Sequence, residues 1–294
     1  MKIGIPKALY YYYIEDYIRF LKKLGIEIIM FDTDKEIVKL GSNVANDEMC
    51  LSIKIFLGHV CKLAPICDYI LIPNLNNYGL RDQMCPNFTS LYNLVKNLFD
   101  VNILTFDINY LKNKKELAAF YEIGQELGFT KKHIKKIYKQ TIIEYKSILK
   151  TRILNNMDKL NSKNKKILLI SHSYNVYDKY IGTPIIKYLE NLNCEIIYSD
   201  CFDKTSTNGL SKYLSRDLYF KTAKENIGSI VLCKEKIDGI LFLTTFPCGI
   251  DSLVTELVLR KIDKPYLNLV IDDLDSMSGI ETRLESFVDI IEQN

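Results

Sequence analysis

The chain reads as an α/β protein of two doubly wound, Rossmann-like lobes with parallel sheets, joined by a helical connector. Three observations predict this. Apolar runs of strand length alternate with runs of helix length over residues 1–111 and again over 164–294. Residues 112–163, between them, contain no strand-like run. A length of 294 residues exceeds one average domain and suits two.

The first lobe opens with the strand "KIGIP" (2–6), stopped by proline, and a helix over "LYYYYIEDYIRFLKKLG" (9–25), closed by Gly25. "IEIIMF" (26–31) is a second strand, followed by a short helix ending near Gly41. The stretch "EMCLSIKIFLGHVCKLA" has apolar residues at 51, 53, 55, 56 and 60, which fits a helix lying on a sheet. "DYILIP" (68–73) and "VNILTFDI" (101–108) are further strands. The connector holds two helices, one over "KKELAAFYEIGQELG" and a long one from Lys131 to Leu160. "NSKNKK" (161–166) reads as an exposed linker. In the second lobe "KILLIS" (166–171), "CEIIYSD" (194–200), "DGILFLTTF" (238–246) and "PYLNLVID" (265–272) are strands, with helices between them and one at the C-terminus. Strands spaced by helices imply parallel pairing through right-handed crossovers.

Composition excludes several classes. With 39 basic against 36 acidic residues the net charge is only +3, which argues against a nucleic-acid binder. The basic run "KKHIKKIYK" (131–139) reads as the solvated face of a helix rather than a binding patch. No apolar run approaches the roughly 18 residues of a membrane span. The N-terminal stretch lacks a signal-peptide core, so the expected location is the cytoplasm, where thiols stay reduced. No G-x-G-x-x-G or Walker lysine loop is present, so the chain shows no nucleotide signature of its own.

In that compartment eight cysteines are core residues, nucleophiles or metal ligands rather than disulfide partners. Doubly wound sheets place ligands beyond the carboxyl ends of their strands, and that rule sorts the thiols. Cys85 in "DQMCPNF" and Cys248 in "TTFPCGIDS" follow strands, and Cys50 stands at a loop-to-helix junction. Cys61, Cys67, Cys194, Cys201 and Cys233 lie in or beside regular elements and read as packing. Dispersed thiolates suit an iron–sulfur cluster better than zinc, which favours local C-x-x-C pairs absent here. Position alone leaves cluster, nucleophile and packing open.

Seven segments occur together in a familiar order and register: "IGIPKAL", "DEMCLSIKIFLGH", "DYILIP", "MCPN", "SHSYNVYD", "TTFPCGIDSLVTELV" and "GIETRLESFVDII". Through them the chain resembles the acyl-CoA dehydratase activase-related proteins, also called the CoA-enzyme activase uncharacterised domain. These are in turn similar to the cluster subunits of 2-hydroxyacyl-CoA dehydratases, benzoyl-CoA reductases and double-cubane cluster proteins. The resemblance spans nearly the whole chain outside the connector. It implies a [4Fe-4S] cluster held by Cys50, Cys85 and Cys248 in an inter-lobe cleft, with one iron open to a substrate or small ligand. It also implies low-potential electrons from an ATP-dependent activator protein or other donor, a small-molecule or CoA-thioester ligand, and compatibility with a homodimer. Neither nucleic acid nor membrane is an expected partner. Three departures stand out: Ser52 where the pattern has proline, Asp273 where it has glutamate, and Leu274 where it has histidine.

His59 reads as a core histidine. His172, Tyr174 and Asn175, with Tyr177 and Asp178 beyond them, occupy the loop after the first strand of the second lobe, where ligands are met. Asp178, Asp251 and Ser252 read as helix caps. Arg283 suits an anionic ligand or a carboxylate equally. The acids 272, 273 and 275 read as a solvated turn rather than a magnesium site. Two other readings remain: a non-catalytic binding or partner module with this fold, and a metabolite-binding protein without a cluster.

Overall fold

The computed structural model describes residues 1–9, 13–215, 218–272 and 277–293. Contacts divide the chain into two compact units, Met1–Ile148 and Leu149–Asn294. Each is a parallel α/β unit, as the alternation predicts.

In the first unit β1 (Lys2–Gly4) is followed by α1 (Glu15–Lys23). The helix starts later than its apolar pattern suggests. Leu9 has a φ of 47°, a left-handed conformation that an α-helix of L-residues does not propagate. Then follow β2 (Glu27–Ile29), α2 (Lys35–Val44), α3 (Leu51–Leu63), β3 (Tyr69–Leu71), β4 (Asn74–Asn77), α4 (Pro86–Leu98), β5 (Ile103–Leu104) and β6 (Asp107–Asn109). The main sheet has the order β2-β1-β3-β5, all parallel. Strands β4 and β6 extend β3 and β5 past short breaks, joined by the bonds from Ile72 N to Leu104 O and from Asn74 N to Phe106 O.

Gly41 does not end α2; the helix continues through it to Val44. Its role is clearance. A Cβ on Gly41 would lie 1.7 Å from the Lys54 carbonyl oxygen, and one on Gly58 would lie 1.9 Å from that of Ile37. The two glycines let α2 and α3 touch backbone to backbone.

The chain then forms α5 (Glu116–Glu126) and α6 (Lys131–Leu160). Helix α5 packs within the first unit: Phe120 is fully buried and stacks on Tyr17 at 4.1 Å. The boundary between the units falls inside α6.

The second unit comprises β7 (Lys165–Ile170), α7 (Ser173–Val176), α8 (Gly182–Asn191), β8 (Cys194–Tyr198), α9 (Lys204–Leu210), α10 (Lys221–Cys233), β9 (Gly239–Thr245), α11 (Gly249–Leu259), β10 (Tyr266–Ile271) and α12 (Ser278–Gln293). Its parallel sheet has the order β8-β7-β9-β10. Leu168, Ile197, Ile227, Ile230, Ile240 and Phe242 fill its core. Both sheets therefore share one order, second-first-third-fourth. In each, the first and third strands are neighbours whose connections diverge, which opens a crevice at their carboxyl ends. No helix among the described residues is long and apolar enough to cross a membrane.

Candidate metal centre

The crevice of the second unit holds a cluster of donor groups. Strand β7 ends at Ile170, and Ser171 fixes its exit by donating to the Leu243 carbonyl of β9 at 2.5 Å. His172 follows as the residue before α7, 8% exposed. From the neighbouring strand β9 the chain turns through Phe246 and Pro247 to Cys248, the N-cap of α11. One turn into that helix, Asp251 points back: its carboxylate lies 3.1 Å from His172 Nε2. The ligand atoms of His172, Cys248 and Asp251 all lie within 4.8 Å of one another.

Burial alone would push the His172 pKa down, but the Asp251 carboxylate and Cys248 beside it raise it to about 10. Burial pushes the Cys248 thiol up, and the imidazole works against that rise. Tyr174 stacks flat on the His172 ring, with centroids 4.7 Å apart and planes 8° apart. With Nε2 engaged by Asp251, the buried Nδ1 has no hydrogen-bond partner among the described residues. An imidazole, a thiol and a carboxylate within reach of one another form a donor set that suits a transition metal.

Cys50 and Cys85 lie in the first unit and Cys248 in the second. All three are N-cap residues, of α3, α4 and α11, and none caps its helix with a side-chain hydrogen bond. Their carbonyls begin the helices instead, accepting from Ile53 N, Phe88 N and Ser252 N respectively. Pro86 at the first position of α4 sets that helix's start without needing an N–H partner. Cys85 and Cys248 hold matching places, each between the third strand of its sheet and the next helix. None of the eight cysteines is in a disulfide.

The remaining site residues divide. Asn175 is buried, its backbone N–H bonded to the His172 carbonyl at 2.9 Å. Asp178 accepts from Tyr180 N and Ile181 N, bracing the turn before α8. Tyr177 points away from His172 toward β8: its hydroxyl donates to Asp200 and contacts Cys201 Sγ at 3.4 Å. Arg283 donates to the Asn268 carbonyl at 2.6 Å. His59 is fully buried, 3.1 Å from Thr33 Oγ1, and burial lowers its pKa to about 4. Asp272 is exposed, while Asp273, Leu274 and Asp275 lie outside the described residues.

Asp251 and Ser252 do not cap α11, because the helix begins directly after Cys248 and places both inside its first turn. Ser252 Oγ donates to the Cys248 carbonyl. Sequence reading missed the pairing of Asp251 with His172. Its only signal was that both follow strands of one sheet, and nothing in the chain states that those strands are neighbours.

The model of one protein family, described as the CoA enzyme activase uncharacterised domain, matches residues 2–202. The chain belongs to this family. The matched region includes Cys50, Cys85 and His172, and Cys248 and Asp251 lie beyond it. No curated protein matches the chain. Two solved structures align with it along its whole length: an Mn-bound periplasmic metal binding protein from Candidatus Liberibacter asiaticus, and a point mutant of that protein. Each is 13% identical with a TM-score of 0.30, and the alignment covers 100% of this chain and 99% of the other. A likeness of that degree establishes neither fold nor ligand.

Proposed function

We propose that this member of the activase-domain family is an iron–sulfur protein that holds one [4Fe-4S] cluster through Cys50, Cys85 and Cys248. The observation that carries the reading is the shared placement of the three thiols. Each stands at the N-terminus of a helix of eleven or thirteen residues with its side chain not used as a cap. A helix N-terminus is the positive end of the macrodipole and favours thiolates and the anionic cluster they bind. The donor chemistry fits the group. Such a cluster supplies a store for single low-potential electrons and an open iron for a small ligand. His172 and Asp251, beside Cys248, would hold a proton next to that thiolate, and the stacked Tyr174 would keep bulk water from the imidazole. Electrons would come from a separate ATP-dependent activator or another donor, and a CoA thioester or smaller acid is the ligand class that the family suggests. Anaerobic purification tests the proposal: about four iron and four acid-labile sulfide per chain are expected. Colourless protein that takes up neither after anaerobic reconstitution would overturn it.

One observation favours a second reading. The His172, Cys248 and Asp251 donors lie close enough to share a single ion. A single transition-metal ion in the second unit would leave one metal and no sulfide per chain in the same assay.

A further inference from the structure

We propose that a groove between α5 and α6 binds a nucleoside polyphosphate. The basic run that sequence alone assigns to a solvated face lines one wall of an open groove of about 550 Å³. Tyr121 and Gln125, one turn apart on α5, line it together with Lys131, Lys132 and Lys135 of α6. The walls are held by close packing. A Cβ on Gly124 would lie 2.6 Å from the buried Ile134 side chain, so α5 and the first turns of α6 meet without a spacer.

The charge arrangement costs the free protein stability in two ways. Lys131 and Lys132 occupy the first turn of a thirty-residue helix that has no acidic residue there, although the helix dipole disfavours cations at that end. Lys131 with Lys135, Lys132 with Lys136, and Lys135 with Lys139 are like charges four residues apart, which repel. None of these five lysines is in an ion pair among the described residues. Further along the same helix, Glu144 is held by both Arg19 and Lys23. A bound polyanion relieves both penalties.

The other lining residues narrow the anion's class. The Tyr121 ring offers an apolar face for a base, and the Gln125 carboxamide offers one donor group and one acceptor. Three ammonium groups suit two or more phosphates. Among the described residues no carboxylate lines the groove to hold magnesium, which suits binding rather than hydrolysis. The inference is independent of the metal reading.

Calorimetric titration of the full chain with ADP and with inorganic pyrophosphate, in low and high salt, tests it. One saturable ADP site that weakens with salt is expected. Lys132→Ala combined with Lys135→Ala should weaken both ligands at least tenfold. Tyr121→Leu should weaken ADP several-fold and leave pyrophosphate unchanged. The lysine variant should melt no lower than the parent, since it removes repulsion, so its loss of binding cannot be misfolding. Parental affinity in that variant, or no saturable binding by the parent, overturns the proposal. So does equal binding of ADP and pyrophosphate that Tyr121→Leu leaves untouched, which would mark a bare anion patch.

Discussion

His172 Nε2 lies 3.1 Å from the carboxylate of Asp251, a residue 79 positions further along the chain. The pair spans the divergence of two neighbouring strands and fixes which way the imidazole faces. Burial opposes a charged ring, yet Asp251 and Cys248 raise its pKa to about 10. In protein without added metal, His172 should therefore stay protonated through neutral pH. In Asp251→Asn the ring loses its main partner, and its pKa should drop to the free-histidine range of about 6.5 or lower. Imidazole chemical shifts followed against pH report this directly, and a parent ring that titrates near 6.5 would show that the pair does not form.

A second prediction separates ligand cysteines from packing ones. Cys50 stands at the N-cap position of α3, while Cys61 lies in the same helix, roughly 16 Å further on at about 1.5 Å per residue. Cluster iron–sulfur bonds are short, so one cubane does not reach both. Serine at Cys50, Cys85 or Cys248 should abolish or severely weaken iron and sulfide binding, whereas Cys61→Ser should keep full iron content. Loss of the cluster in Cys61→Ser with retention in Cys50→Ser reverses the assignment.

Most strands were legible because each is a short apolar run bounded by proline, glycine or charge: nine of the ten strands among the described residues overlap the eight runs that periodicity marks, and β4, an asparagine-rich stretch past Pro73, is the one outside them. Glycine was ambiguous. Gly25 ends α1 with a φ of 78°, as read, whereas Gly41 looks the same in sequence and instead makes room for a neighbouring helix. The loop positions of Cys85, Cys248 and His172 were legible from strand ends alone. The closeness of His172 to Cys248 was not, because it depends on the strand order, which local pattern does not encode.

Gly41 supplies a third prediction. Alanine there gains about 1 kcal/mol in helix propensity. Its Cβ, however, meets a backbone oxygen that cannot swing aside. Overpacking of this kind costs about 1–3 kcal/mol or more. Gly41→Ala should lower the urea midpoint, whereas Gly209→Ala, with nothing within 4 Å of the added methyl, should leave it equal or higher. Equal midpoints for both variants would contradict the backbone contact between α2 and α3.

A fourth prediction concerns pH. Asp16, in the first turn of α1, is 8% exposed and accepts from Tyr17 N at 3.0 Å. Burial is the main cause raising its pKa to about 7, and Glu116 and Glu15 add to the rise. Between about pH 4 and 7 the folded chain therefore holds a proton that the unfolded chain has released. Stability from this group is present at low pH and is lost as pH rises towards 7, then stays flat. The full loss is at most about 4 kcal/mol, from roughly 1.4 kcal/mol per pKa unit. Buried His59 acts in the opposite sense, weakening the fold as pH falls from its ordinary value towards 4. The comparison must therefore be made against a variant in which only the Asp16 proton is removed. Asp16→Asn keeps the acceptor oxygen for Tyr17 N and cannot ionise. Its melting temperature should sit near the parent's at pH 4.5 and clearly above it at pH 8. A constant difference across that range would mean that Asp16 is ionised in the folded chain throughout.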